Sequence, residues 1–330
     1  MQSIRYVATL ATAECDAELF LFLTSLRNLY PWPAGAIEVF IGCTSSLLIT
    51  TCATSSCLSY NTFRYDKGIH WIPCLDHYGS INRSLMESQP GVWFATKHTD
   101  FMMEKVAIMK YALQVQLARH HLLLPQQEKE GTSTFDASSS PDIHVLFLDC
   151  DIVLTSELPL IPLNAKVGLS PHHIRQHDEQ LFGIYNGGCV YVSDPLALHV
   201  WSAATLHSRY FDQSSLEVVA SRYEGSKEVF RFGDEVNFGY WRMFQSEEGD
   251  ATKIVRRFAI TEDTKSNLVV TYDGTPLQST HTHFLNVNLT GGSRTMPLFN
   301  ELMLRWWGKC SQRNSHYAVL LRAIQQCRKF

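Results

Sequence analysis

Four things are missing from these 330 residues: a CxxC pair, a glycine-rich phosphate loop, a long apolar run and an excess of positive charge. The nine cysteines are odd in number and scattered, and several sit in apolar runs such as EVFIGC and GGCVYV. That usage excludes a disulfide framework and a zinc knuckle, and it fits packed thiols in a reducing compartment. The longest strongly apolar run, residues 19–23, is far too short to span a bilayer. The opening MQSIRYVATLATA alternates apolar with polar residues and leads into a core strand, unlike a signal peptide or anchor. The expectation is a cytoplasmic protein with no membrane span. With 28 Lys and Arg against 32 Asp and Glu, the net charge of −4 offers no global field for nucleic acid. No internal repeat is evident. The first βα turn, ATAECDAE, is acidic where a P-loop or GxGxxG site needs bare N–H groups and a positive helix end. Any nucleotide bound here needs its phosphates neutralised by something other than a helix dipole.

What is present is a β-α-β opening. Residues 4–11 (IRYVATLA) form a short buried strand. Thr12 is placed to cap a helix that carries Glu14, Asp16 and Glu18 near its start and ends before Pro31 and Pro33. Residues 37–42 (IEVFIG) are the second strand, which points to a mostly parallel α/β sheet with flanking helices. Residues 44–60 are predicted as a loop or poor helix. A long helix is predicted from Thr99 or Asp100 to about Leu124, with Met102, Val106, Met109, Leu113 and Leu117 on one face. Residues 126–142 are polar and of low complexity, a mobile surface loop by composition. Strands follow at 144–154, 166–170 and 188–193, and helices at 196–205, 214–223, 297–307 and 316–327. The domain expectation is one unit over 1–295, with 296–330 as a helical tail packed on it.

The sharpest chemical signal is Asp149-Cys150-Asp151 after the apolar run VLFL. On an extended strand the two carboxylates share a face, and no Lys or Arg stands beside them in sequence. Acids leaving an apolar strand are costly to desolvate unless paired, and Mg²⁺ or Mn²⁺ is a natural partner at the carboxyl edge of a parallel sheet. The bland alternative is a pair of strand-end acids that cap helices or turns. In Tyr185-Asn186-Gly187-Gly188, the glycines permit close backbone approach and Asn186 can both donate to and accept from a hydroxyl, although a simple turn also fits. Asp234-Glu235 precedes an aromatic run, VNFGYW, and offers either a carboxylate for a polyol or a helix cap. His281 and His283 share a face if extended, and imidazole suits Mn²⁺ better than Mg²⁺. Arg294, in the turn TGGSR, is a cation for a phosphate. Lys105 and Lys110 could face phosphate or be solvated. The run SPHHIRQHD lacks zinc-site spacing and is taken as a loop over the site.

In this order, DCD, YNGGCVYVS, GDEVNFGYW and HTHF followed by a glycine-rich turn resemble the GT-A nucleotide-sugar glycosyltransferases, most closely the glycogenin and galactinol-synthase type. The resemblance spans residues 4 to 294. It implies a GT-A fold and an enzyme moving a sugar from a nucleotide diphosphate, with UDP expected, to an acceptor hydroxyl, with retention. It implies Mn²⁺ or Mg²⁺ held by Asp149, Asp151 and His283, with His281 as the alternative. Asn186, Gly187 and Gly188 then line the donor sugar, and Thr9, Ala11 and Thr12 cradle the base. Asp234 and Glu235 lie beneath the transferred sugar, and Arg294 replaces the family's phosphate-binding lysine; Lys105 is a further candidate for donor phosphate, from its place on the long helix. Glu235 stands where the family has Gln, and the Lys-Pro-Trp that follows its histidine is missing. Two rival readings are a nucleotidyltransferase, which would carry a basic glycine-rich loop after the first strand, and a non-catalytic binding relative.

Overall fold

A computed structural model describes residues 1–33, 37–49, 57–78, 94–129, 142–246, 248–284 and 295–328, with only the backbone given for 94–99 and 123–129. Arg294 and most of the expected loop at 126–142 lie outside the described residues. The chain is α/β. Its main sheet contains β1 (Tyr6–Ala11), β2 (Glu38–Cys43), β3 (Ile69–Pro73), β4 (Val145–Leu148), β6 (Val167–Pro171), β7 (Tyr185–Val192) and β8 (Val229–Arg231). A separate short strand, β5, is Ile152–Leu154. The order in the main sheet is β3-β2-β1-β4-β7-β6-β8. Four neighbouring pairs are parallel, and β7 runs antiparallel to both β4 and β6.

Both faces of this sheet are covered, which is why its strands read as continuous apolar runs. On one face Val7, Val39, Ile41, Leu146 and Leu148 pack with Leu19, Phe22 and Leu26 of the helix Asp16–Leu29. On the other, Ala8, Phe40, Phe147 and Val190 meet Val106, Met109 and Leu113 of the helix Phe94–Lys129. Trp201 of the helix Pro195–Thr205 and Val219 of Leu216–Glu224 complete that face.

The remaining strands are β9 (Phe238–Gly239), β10 (Phe258–Glu262), β11 (Leu268–Tyr272), β12 (Thr275–Pro276) and β13 (Ser279–His281). β10, β11 and β12 form one small sheet, and β5, β13 and β9 form another. The helices Thr295–Cys310 and Ser315–Cys327 bury Phe299, Met303, Trp307, Tyr317 and Leu320 against Val153, Phe238 and Val270.

Several local expectations change. Thr12 does not cap the first helix. A 3-10 turn, Ala13–Cys15, intervenes, and the Thr12 hydroxyl points to Cys15 Sγ instead. Asp16 turns outward and accepts from the backbone N–H groups of Leu58 and Ser59, so it caps the next helix, Leu58–Phe63. Residues 126–129 continue the long helix, whose Gln-Gln-Glu-Lys end consists of good helix formers. Nor do Asp149 and Asp151 lie on one strand. Asp149 to Ile152 forms a β-turn, closed by the Ile152 N–H on the Asp149 carbonyl at 3.0 Å, and the chain passes there from one sheet to the other.

Candidate functional site

The turn matters because it sends the two aspartates different ways. β5 leaves it antiparallel to β13, with Ile152 opposite His281. One step further, the Thr282 N–H donates to the Asp151 carbonyl at 3.1 Å. His281 and His283 therefore flank the residue opposite Asp151. Their side chains close on its carboxylate, with His281 Nε2 3.0 Å from Oδ1 and His283 Nδ1 2.7 Å from Oδ2. All three residues are buried, and among the described residues they form the group able to hold a metal ion. Burial alone would raise the Asp151 carboxyl, but the two imidazoles hold it well below the usual carboxylate range.

The geometry fits a cation. Ligand atoms about 2.1 Å from one ion and at right angles lie about 3 Å apart, as each imidazole does from its carboxylate oxygen, and one ligand atom from each of the three residues lies within 4.8 Å of the others. The proton positions agree. Asn186 Oδ1 accepts from the Gly188 backbone N–H at 2.9 Å, so the Asn237 atom 3.0 Å from it is the amide nitrogen. Asn237 then offers its oxygen to His281 Nδ1 at 2.9 Å, which places a proton on Nδ1 and leaves Nε2 as the nitrogen that faces Asp151. A ring oriented in this way can turn Nε2 to a cation shared with the carboxylate.

Asp149 goes to a second cluster. Its Oδ1 is 3.4 Å from Lys105 Nζ, which also lies 3.3 Å from Asp212 Oδ2 and donates to the Gly187 carbonyl. Lys105 is 3% exposed, so it belongs to the buried stripe of its helix and is not a solvated lysine. Burial alone would lower it, yet Asp149 and Asp212 keep it raised. Asp212 is itself raised by burial despite Lys105, because one ammonium serves two carboxylates. The two clusters touch at Gly188, where a Cβ would lie 2.5 Å from Asp149 Oδ2 and 2.8 Å from both Asn186 Oδ1 and His281 Cε1. At Gly187 a Cβ would lie 2.6 Å from Asp212 Oδ2. Both glycines are there because side chains crowd onto the backbone.

Three participants, Asp212, Gln213 and Asn237, were not singled out in the sequence, and a fourth, His172, was read only as part of a loop over the site. Asp212 and Gln213 follow Phe211, a non-glycine residue at φ 42°. Gln213 Oε1 accepts from Asn186 Nδ2 at 3.3 Å and from the Gly187 N–H at 3.4 Å. His172 Nδ1 donates to the Gly183 carbonyl at 2.7 Å, and its Nε2 meets Asn186 Nδ2 at 3.2 Å. Burial pushes the His172 imidazole down to about 4. Asn237, fully buried at φ 54°, also donates to Ser170 Oγ. The signal available in the sequence was Asp-Gln directly after an aromatic pair, and an Asn between apolar residues.

Asp234 and Glu235 sit apart from these contacts. Asp234 pairs with His173 at 2.9 Å, which holds its carboxyl low, and it lines a cavity of about 260 Å³ with Glu179, Arg242, Arg257 and Tyr272. The Glu235 carboxylate folds back onto Gly233, and its carbonyl accepts from Gln278 and Ser279. The aromatic run does reach the site, with Trp241 packing edge-on against His281 at 5.0 Å and His172 at 5.9 Å. Thr9 and Ala11 are buried near the carboxyl end of β1, and Thr12 follows them half-buried.

Solved structures similar to this chain include the galactosyltransferase LgtC in complex with donor and acceptor sugar analogues, at 14% identity and TM-score 0.41, covering 90% of this chain and 94% of that one. Mouse xyloside xylosyltransferase 1 aligns at 10% identity and TM-score 0.40, over 86% and 98%. GlyE of Streptococcus pneumoniae aligns at 13% and 0.43, over 98% of this chain and 64% of that one. All three are glycosyltransferases. No family model matches the sequence, and no curated protein matches it. Among the described residues no helix is long and apolar enough to cross a membrane.

Proposed function

We propose that this chain is a metal-dependent glycosyltransferase that moves a sugar from a nucleoside diphosphate, UDP in the first instance, to an acceptor hydroxyl, with retention of configuration. The observation that carries this reading is the Asp151–His281–His283 cluster, set beside Asn186 and a Gly-Gly segment at the edge of an α/β sheet. A divalent cation held there, Mn²⁺ in this reading, supplies Lewis-acid stabilisation of the charge that develops on a departing diphosphate. It also answers the acidic first turn, which gives phosphate no helix dipole.

The protein's own groups do the rest. Lys105 brings a buried ammonium to the Asp149 side of the site. Asn186, Gly187 and Gly188 are assigned to the donor sugar, with Asn186 held in place by His172, Gln213 and Asn237. Thr9, Ala11 and Thr12 are assigned to the base. Asp234 is assigned to the acceptor side through the cavity it shares with Tyr272 and Arg257. The segment after residue 295 belongs to the same unit in this reading, because Asn300 donates to the His283 carbonyl at 3.1 Å.

Release of nucleoside diphosphate from a panel of UDP-, GDP- and ADP-sugars, with Mn²⁺ or EDTA, tests the reading. Expected is turnover of one donor class that needs metal and is absent in Asp151→Ala. Pyrophosphate release from a nucleoside triphosphate and a sugar phosphate would replace it with the nucleotidyltransferase. Turnover unchanged by EDTA and by Asp151→Ala would sink it.

A further inference from the structure

A file of four side chains crosses the buried interior from the Gly183 carbonyl to the Asp151 carboxylate, and its polarity is set from both ends. At one end the Gly183 carbonyl takes the proton of His172 Nδ1, leaving Nε2 to accept from Asn186 Nδ2. At the other, the Gly188 N–H fixes Asn186 Oδ1 as an acceptor, so Asn237 donates to it and shows its own oxygen to His281 Nδ1. Each side chain is at least nine-tenths buried, so water does not compete for the partners. Asn237 holds its place through φ 54°, a left-handed conformation that Asn tolerates and β-branched residues do not. Its backbone N–H donates to Ser279 Oγ, two residues before His281.

Resting on the proposed metal role of the Asp151 cluster, we infer that Asn237, backed by Asn186 and His172, is a positioning residue that fixes the His281 ring so that Nε2 is the nitrogen turned to the metal. Nitrogen donors favour ions later in the first transition row, whereas Mg²⁺ takes oxygen ligands and keeps its waters. Asp149 turns Oδ1 to Lys105, while its Oδ2 lies at Gly188 beside His281 Cε1. Outer hydrogen bonds to a ligating imidazole are typically worth about 10–100-fold in metal affinity.

The test is calorimetric titration of the full chain with Co²⁺, Mn²⁺ and Mg²⁺, without nucleotide or sugar. Expected affinities run Co²⁺ above Mn²⁺ above Mg²⁺. Asn237→Gly removes the amide and suits the positive φ, and it is expected to weaken Co²⁺ binding about 10–100-fold while circular dichroism stays native. His281→Gln is expected to weaken Co²⁺ more than Mg²⁺. Equal Co²⁺ affinity in the wild type and Asn237→Gly would overturn the inference. Should Asn237→Gly misfold, the position of the His281 proton in the wild type decides. In the Zn²⁺-loaded protein, long-range ¹H–¹⁵N correlations are expected to show His281 protonated at Nδ1, and a proton on Nε2 would overturn it. Because no donor is present, metal binding that behaves as described without sugar transfer would count against the proposed function only. Metal-dependent transfer indifferent to Asn237→Gly and His281→Gln would count against this inference only.

Discussion

A methyl group at residue 188 would land on Asp149, Asn186 and His281 together, so Gly188→Ala must displace at least one of them. Overpacking of this kind costs about 1–3 kcal/mol, and here the strain falls on groups assigned to metal and donor. Expected is a fold close to native with at least about tenfold weaker Mn²⁺ binding by calorimetry, where 1.4 kcal/mol is a factor of ten. Wild-type affinity would mean that the cluster has room to spare. Lys105 is a different case. Lys105→Met leaves Asp149 and Asp212 facing each other, and removing one partner of a buried ion pair costs about 3–5 kcal/mol. Urea unfolding is expected to show a loss of that size, partly recovered when Asp212→Asn is added. His172 gives the pH dependence. Its folded value of about 4 lies below the ordinary 6.5, so the unfolded chain binds more protons between the two. Stability should therefore be complete above pH 6.5 and fall as pH drops toward 4, by about 3 kcal/mol at most from this residue. His144 and His316 are lowered by burial too and add with the same sign. A melting series for His172→Gln should be flatter over that range than the wild type.

At the level of elements, the turn after β4 does what a strand could not. A continuous strand would have aimed Asp149 and Asp151 at one point, whereas the turn splits them between Lys105 and the histidine pair. The DCD motif was legible as a cluster of acids at a strand end, but its division was not, because both partners come from distant elements. Lys105 sits four residues before Met109 and eleven before Gln116 on the buried stripe of its helix. The sequence offered it for phosphate, but its place between Asp149 and Asp212 was not legible, because the two acids come from distant elements. His281 and His283 were visible as a pair, yet which of them meets Asp151 depends on the β5–β13 register, and that register brings both. The helix Leu58–Phe63 depends on an acid from elsewhere, since Asp16 receives its first N–H groups. Asp16→Ala is expected to lower stability by about 1 kcal/mol in urea unfolding. No change would show that the cap is idle.

At the scale of the whole molecule, the alternation of short apolar strands with amphipathic helices was enough to give the α/β class and the parallel start of the sheet. The small sheets from β9 to β13 were not anticipated, since their strands are short and lack clear alternation. They carry the site all the same, because β13 ends at His281, with His283 two residues on, and β9 follows Asn237. The C-terminal helices reinforce it through Asn300. A ligand that binds only the folded chain stabilises it by about 2.7 kcal/mol at a hundred times its dissociation constant, so the loaded protein should melt measurably later. The most direct measurement is an anomalous difference map at the manganese edge, from crystals grown with Mn²⁺ and UDP. The account predicts one strong peak within bonding distance of Asp151, His281 Nε2 and His283, with diphosphate density against it. A map without a peak there, or with manganese bound only elsewhere, would contradict it.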